Sequence, residues 1–196
     1  MPDKIHTLLN FWFGDLGKAD LPSSDRTTLW FGESDKLKMM LNDKFNDIYD
    51  EAVHDKLNNW RNSARGRLAL IIVLDQFSRY LKRQSAQAYQ YDDLALKLAL
   101  EGIELKMDLN ITLIERVFFY MPLVHAENSQ IQEQSIQLFQ KLVALSMQET
   151  TQVYQLFLAY SYAHFRVIKE FGRFPQRNDI LKRESTAAEL AFLKST

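Results

Sequence analysis

The sequence predicts an all-α protein of about eight helices, stacked as antiparallel pairs. Apolar residues recur with a spacing near 3.6 in several segments, and no segment alternates polar and apolar residues with a period of two. The chain has only 6 glycines and 4 prolines among its 196 residues, and most of them stand between the periodic segments. Helix starts are unevenly spaced and no fixed-length pattern recurs, so any regular stacking would not be visible as a sequence repeat.

Two helices separated by a polar loop are predicted for the amino-terminal part of the chain. Asp3 can cap a first helix that ends at Gly14. The loop that follows contains Gly17 and Pro22 and is expected to be the most flexible segment. A second helix should begin near Ser34 and bury one apolar face.

The third predicted helix, residues 63–82, is expected to organise the core. It is apolar on every side over residues 68–74, a pattern typical of a helix covered by its neighbours. A fourth helix, residues 86–101, would be capped by Ser85 and terminated by Gly102 in a left-handed conformation.

The carboxyl-terminal half predicts four more helices. A fifth helix opens at Asn110 or Thr112, and Pro122 should break or kink it, because proline has no amide hydrogen and disfavours helix at the residue before it. Thr186 and Glu189 form a capping box for the last helix. The other predicted helices cover roughly residues 129–146, 150–171 (ended by Gly172) and 187–194.

Composition and charge narrow the possible function classes. A formal net charge of -1 and a pI near 6.4 give no overall field to attract nucleic acid or an anionic membrane. The absence of cysteine excludes disulfides, thiolate catalysis and cysteine-rich zinc sites. The longest apolar run, residues 68–74, is far shorter than the ~18 residues of a membrane span, and no signal peptide is evident. We expect one cytoplasmic domain over residues 1–196, with no nucleic-acid partner and no membrane association; the oligomeric state is left open.

The most informative segment, residues 164–178, takes an amphipathic helix into a loop rich in guanidinium groups and aromatic rings. Arg173 and Arg177 alternate there with phenylalanines and a proline. A charge held against apolar surface needs a carboxylate, a phosphate or water to offset its lost hydration. If the protein supplies these partners, the loop is a structural ion-pair network; if a ligand supplies them, it is a site.

Several ionisable residues interrupt apolar helix faces. Asp75 directly follows the central apolar run, and Arg79 lies one turn later in the order that favours an i,i+4 ion pair. His164 falls on the inward stripe of its helix, while His125 and Glu127 lie in the turn after the fifth helix. Each can be a paired structural group or, alternatively, a ligand-orienting group or general base.

Sequence motifs of known cofactor and nucleophile sites are missing. His125 and His164, with a carboxylate such as Glu127 or Asp75, could in principle form a metal site, but no ligand-spaced motif such as H-E-x-x-H supports one. Walker A, G-x-G-x-x-G and G-x-S-x-G patterns are also absent. We therefore predict no metal and no cofactor. We expect aromatic side chains to fill the core rather than to stack on nucleic-acid bases, because no basic residues are interleaved with them. These aromatic side chains are at positions 11–13, 30–31 and 60.

Several short motifs are spread over nearly the whole chain. They are Phe11-Trp12-Phe13-Gly14, Trp30-Phe31, Leu74-Asp75-Gln76-Phe77 with Arg79, Tyr120-Met121-Pro122-Leu123 with His125 and Glu127, Gln132-Glu133, Phe171-Gly172-Arg173-Phe174-Pro175 with Arg177-Asn178, and Arg183-Glu184-Ser185-Thr186. In these motifs the sequence resembles a bacterial family known as domain of unknown function 924. The resemblance implies a tetratricopeptide-like helical fold and a shared polar cluster, but no reaction.

The chain also departs from the family pattern at five positions. It has Ser78 where the pattern has proline, Tyr80 where it has asparagine, Asn128 where it has aspartate, Gln176 where it has histidine, and Lys182 where it has glycine. The replacement of a histidine by Gln176 argues against a proton-transfer role for the arginine-rich loop.

Three functions remain open from the sequence. The first is a binding protein whose pocket holds a small anionic ligand or an acidic peptide. The second is a hydrolase or lyase that uses histidine and carboxylate acid-base chemistry in the same pocket. The third is an interaction scaffold whose polar cluster only joins helices. The predicted ligand-binding residues are Asp75, Arg79, His125, Glu127, His164, Arg173, Arg177 and Asn178.

Overall fold

The structure, a computed structural model, describes residues 3–17, 21–32 and 34–195. Within these ranges the chain forms helices and turns and has no β-strand, which confirms the all-α prediction. The predicted flexible loop lies in part outside the described residues. The helices are α1 (Lys4–Phe13), α2 (Thr27–Phe31), α3 (Asp35–Val53), α4 (Ala64–Ile71), α5 (Ser78–Leu81), α6 (Asp92–Glu104), α7 (Leu113–Val124), α8 (Ser129–Leu145), α9 (Thr151–Phe171) and α10 (Ala187–Ser195).

A continuous helical rod runs through the centre of the molecule. It consists of α4, a π-helical segment at Ile72–Phe77, and α5. Residues 68–74 are buried on every side, and α3, α6 and α7 pack around the rod. The third predicted helix is therefore confirmed in place and in role, although its π-helical middle is not visible from apolar spacing alone.

Later helices pack against their neighbours in the chain, as the pairwise prediction requires. α8 lies along α9, and α7 packs on α8. Predicted caps are present: the Asp3 carboxylate accepts from the Ile5 amide at 3.0 Å, and Gly172 ends α9 with φ +71°. Among the described helices, none has both the length and the apolar character needed to cross a membrane.

Aromatic side chains fill the core between the first helices and α7. Trp12 meets Phe118 edge-on at 5.4 Å between ring centroids, and Trp30 lies 4.9 Å from the same ring. The core-filling prediction is confirmed for these residues. It is wrong for Phe31, which ends α2 with 46% of its surface exposed. The short helix α2 itself was not predicted.

The fourth predicted helix is wrong at both ends. Ser85 caps only a short 3₁₀ turn, Ala86–Tyr89, and α6 begins at Asp92. Gly102 lies inside α6, whereas Lys106, after the helix, takes the left-handed conformation with φ +56°. Gly102 is needed for space, since a Cβ there would lie 2.4 Å from the Phe119 ring.

Pro122 does not break α7, which continues to Val124. Proline removes a single backbone hydrogen bond, and here that bond would belong to the last turn of the helix. Of the predicted break or kink, the break is therefore wrong, because the helix continues past Pro122 and His125 caps its end.

Replacing Gly102 with alanine should lower the free energy of unfolding by about 1–2 kcal/mol, since overpacking costs about 1–3 kcal/mol and alanine recovers about 0.5–1 kcal/mol of helix propensity. The added Cβ would meet both Phe119 and the Arg67 side chain at under 3 Å. Urea denaturation measures the change. Glu104→Ala, at an exposed position of the same helix, is the control. A Gly102→Ala protein as stable as the wild type would contradict the close packing.

Candidate functional site

A cavity of about 590 Å³ opens between α2, the central rod, α7, α9 and the loop after α9. Four of the predicted site residues line it: Arg79, His125, His164 and Arg177. Asp75 lies directly behind the wall, because its carboxylate contacts two of these four side chains.

The π segment of the rod holds Asp75 in the centre of a hydrogen-bond network. One oxygen of its buried carboxylate lies 2.8 Å from His125 Nδ1 and 3.1 Å from Arg79 Nη1, and the other accepts from the Gln76 amide. The Asp75 backbone carbonyl also accepts a hydrogen bond from Arg79 Nη1. π-helical turns are rare and are found frequently at functional sites.

A second carboxylate, Asp92 at the start of α6, joins the two arginines of the cavity wall. Its Oδ2 accepts from Arg79 Nη2 at 3.0 Å and from Arg177 Nη1 at 3.2 Å. Its Oδ1 is buried and has no hydrogen-bond partner among the described residues. The Nε–H groups of both arginines likewise have no acceptor in the described part of the chain.

Stacking fixes the plane of the Arg177 guanidinium. It lies 4.6 Å from the ring centroids of both Tyr89 and Phe174, and its Nη2 donates to the His125 carbonyl at 3.0 Å. A flat guanidinium held between two rings loses little further freedom when it binds an anion. Arg177 is thus positioned before any ligand arrives.

The two imidazoles of the cavity have defined tautomers. His164 Nδ1 lies 3.0 Å from the Tyr160 carbonyl, which can only accept, so this nitrogen carries the proton. His125 Nδ1 likewise donates to the Asp75 carboxylate. In both rings Nε2 has no hydrogen-bond partner among the described residues and remains an acceptor in the neutral form.

Burial and neighbouring charges set the protonation states. Burial lowers the pKa of His125, with a further contribution from Arg79, and burial also lowers the pKa of His164. Burial alone would raise the pKa of Asp75, but Arg79 and His125 outweigh it and hold that pKa well below its usual range. At neutral pH the site therefore contains two neutral imidazoles and an ionised Asp75.

Charged side chains of the cavity wall are mainly cationic. Among the described residues that line it, the cations are Arg79, Arg83, Arg177 and Lys38, and the carboxylate is Asp35. The two buried carboxylates that hold the arginines stand behind this surface. The face that a ligand would meet therefore offers N–H donors and positive charge.

Three predicted site residues lie in a separate ion-pair cluster rather than in the cavity wall. Glu127 accepts two hydrogen bonds from Arg183, at 2.6 and 3.0 Å, and one from the Phe174 amide. Arg173 pairs with Glu189 of α10 through two bonds of 2.6 and 2.8 Å. The Asn178 side chain donates a hydrogen bond to Ser185 and accepts one from Arg183. The protein itself supplies partners for these groups, and together they hold the loop between α9 and α10.

The cavity also contains residues that the sequence did not single out as site residues: Gln76, Tyr89 and Tyr160, with Asp92 behind the wall. Asp92 and Asp93 are adjacent acids in the first turn of α6. Such acids are common at helix N-termini, where they interact with the helix dipole. No local signal therefore marked Asp92 as the partner of two distant arginines.

Two of the departures from the family pattern, Gln176 and Lys182, have features that the structure shows directly. Gln176 is exposed in the cavity wall, so an amide occupies the place where the resemblance leads one to expect an imidazole. Lys182 adopts the left-handed conformation with φ +55°, which glycine takes without steric cost. Among the described residues, no group of three or more histidine and acidic side chains is placed to hold a metal ion.

Comparison with known proteins gives two matches. Residues 8–196 match the family model described as "Bacterial protein of unknown function (DUF924)". The chain is also similar to a solved structure, a protein of unknown function, ATU0120, from Agrobacterium tumefaciens, with 32% identity, a TM-score of 0.80, and coverage of 98% of this chain and 97% of that one. No curated protein matches. A family match over almost the entire length, together with this similarity in sequence and fold, shows that the chain belongs to the DUF924 family of bacterial proteins.

Proposed function

We propose that this protein binds a small ligand through an anionic group, a carboxylate or a phosphate, held by Arg79 and Arg177. The observation that carries the proposal is the sharing of Asp92 Oδ2 by the two guanidiniums. The shared oxygen brings both cations together at the cavity wall.

Three features support an anionic ligand. Each guanidinium has more N–H donors than its protein contacts use, and the Nε–H of each has no acceptor in the described part of the chain. Burial strengthens hydrogen bonds to charged groups, because water competes for them less. The neighbouring imidazoles are neutral acceptors, which suits a ligand that also carries a hydroxyl or amide donor.

Arginine side-chain NMR signals provide the test. At pH 7 we expect inorganic phosphate, acetate, phenyl phosphate or phenylacetate to shift the Nε–H signals of Arg79 and Arg177. Arg177→Gln should weaken that binding about ten- to a hundredfold, the equivalent of one charged hydrogen bond. Arg166→Gln, at an exposed arginine of α9, is the matched control. If none of the four anions shifts either signal, the proposal fails.

One observation favours a second candidate, a hydrolase. His125 is neutral, is oriented by the ionised Asp75, and its Nε2 has no hydrogen-bond partner among the described residues. Such an imidazole can take a proton from a water molecule as that water attacks an ester bound by the arginines. The bond to the leaving oxygen breaks, and the proton passes from Nε2 to that oxygen. The arginines would stabilise the negative charge of the transition state.

Hydrolysis of 4-nitrophenyl phosphate and 4-nitrophenyl acetate tests this candidate. His125→Asn should reduce any such turnover by about 10²–10⁴-fold, the usual contribution of general base catalysis. His54→Asn, at an exposed histidine, serves as the control. Anion binding without detectable turnover in the wild type would leave the binding function and reject the hydrolase.

A further inference from the structure

The cavity is much larger than the anion that its two arginines would hold. An anion of five heavy atoms fills at most roughly 150 Å³, since one water molecule occupies about 30 Å³ of the liquid. The cavity measures about 590 Å³, within the range of pockets that hold drug-sized ligands. Most of its volume is therefore available to another part of a ligand.

A row of rings leads away from the arginines along one wall. His125 is followed by His164 at 6.2 Å, Tyr160 at 4.2 Å beyond it, and Phe31 at 6.1 Å beyond that, measured between neighbouring ring centroids. All four residues line the cavity. At one end of the row, the His125 backbone carbonyl accepts a hydrogen bond from Arg177, and the His125 imidazole donates one to the Asp75 carboxylate. Aromatic rings thus extend along this wall from the Asp75 network to the exposed Phe31.

Phe31, at the far end of the row, is unusually exposed for its size. It packs against Phe157, Tyr160 and Trp30, yet 46% of its surface remains open to solvent. Exposed phenyl surface is unfavourable in water, so a ligand that covers it gains free energy from its burial.

We propose that the ligand is an aromatic anion, in which a carboxylate or phosphate is joined to a ring. The anionic group lies at Arg79 and Arg177, and the ring lies against Tyr160 and Phe31. Phe31 then determines specificity, because it contacts the ring of the ligand and not its charge. This inference rests on the proposed anion site.

Binding of matched probes tests the ligand class. Phenyl phosphate should bind about ten- to a hundredfold more tightly than inorganic phosphate, and phenylacetate should exceed acetate by a similar ratio, because burial of a phenyl ring is worth that much. Benzyl alcohol, a ring without charge, should bind more weakly than phenylacetate. The phosphate and carboxylate pairs also show which anion the site prefers.

The variant Phe31→Ala isolates the role of the ring. Aryl anions should lose about three- to tenfold in affinity, as expected for one aromatic contact, while inorganic phosphate stays within about twofold. Phe31→Leu, which keeps apolar volume, guards against a change in folding and should show a smaller loss. Equal affinity for aryl and bare anions, or an equal loss for both in Phe31→Ala, would overturn the inference while leaving the anion site intact. If no anion binds, or benzyl alcohol matches phenylacetate, the anion site itself fails.

Discussion

Replacing Asp75 with alanine is expected to lower the free energy of unfolding by about 3–5 kcal/mol, the usual effect of removing one partner from a buried ion pair. Asp75 is completely buried and accepts hydrogen bonds from His125 and Gln76 while pairing with Arg79. Without the carboxylate, Arg79 keeps Asp92 as its one ionic partner among the described residues, and the His125 Nδ1–H loses its acceptor.

Urea denaturation of three variants measures this effect. Asp75→Asn keeps the shape but not the charge and should fall between alanine and wild type. Asp47→Ala, at an exposed carboxylate of α3, should change stability by less than about 0.5 kcal/mol. If Asp75→Ala matched the Asp47 control, the network around the carboxylate would contribute nothing to stability.

Stability should also decrease as the pH falls from 7 to 5. The pKa values of His125 and His164 are lowered in the native state, chiefly by burial, so below pH ~6.5 the unfolded chain binds protons that the native protein does not. Each imidazole that stays neutral then reduces the free energy of unfolding by up to about 1.4 kcal/mol per pH unit. The positive charge of Arg79 also lowers the pKa of both imidazoles, and that of Arg177 lowers the pKa of His164. The negative charges of Asp75 and Asp92 offset part of the lowering at His125.

Chemical denaturation at pH 7, 6 and 5 provides the measurement. The double variant His125→Gln/His164→Gln should show a flatter dependence on pH, because the groups responsible are gone. The lowered pKa of Asp75 acts at more acidic pH, since stability from a depressed carboxylate is lost only as the pH falls through the acid range. A wild-type slope unchanged by the double variant would show that these imidazoles titrate alike in the native and unfolded states.

Helix positions were predictable because they depend on local sequence. Apolar spacing and capping residues located the central rod, the end of α9 at Gly172 and the capping box of α10. The errors arose where tertiary packing overrides local preference. Gly102 suggested a helix end from its propensity but provides room for Phe119 inside α6.

The candidate site was predictable only as a set of residue types. Burying a charge requires a partner, and this argument identified Asp75, Arg79, Arg177 and the two histidines as unusual. Local spacing correctly paired Asp75 with Arg79, one helical turn apart. It could not pair Asp92 with Arg177, because these residues are 85 positions apart in the chain. Arg173 and Arg177 look alike in the sequence, yet one joins α10 through Glu189 and the other enters the cavity wall.

Deleting a residue from the π segment at Ile72–Phe77 should affect the fold and the site differently. A π turn holds roughly one residue more than an α turn, because its hydrogen bonds join residues five apart instead of four. Loss of one residue there would leave a regular helix with α4 and α5 still in phase. The turn that carries Asp75, whose carbonyl accepts a hydrogen bond from Arg79, would lose its π-helical geometry. A single-residue deletion in this segment should thus keep the helical architecture and change the chemistry of the cavity.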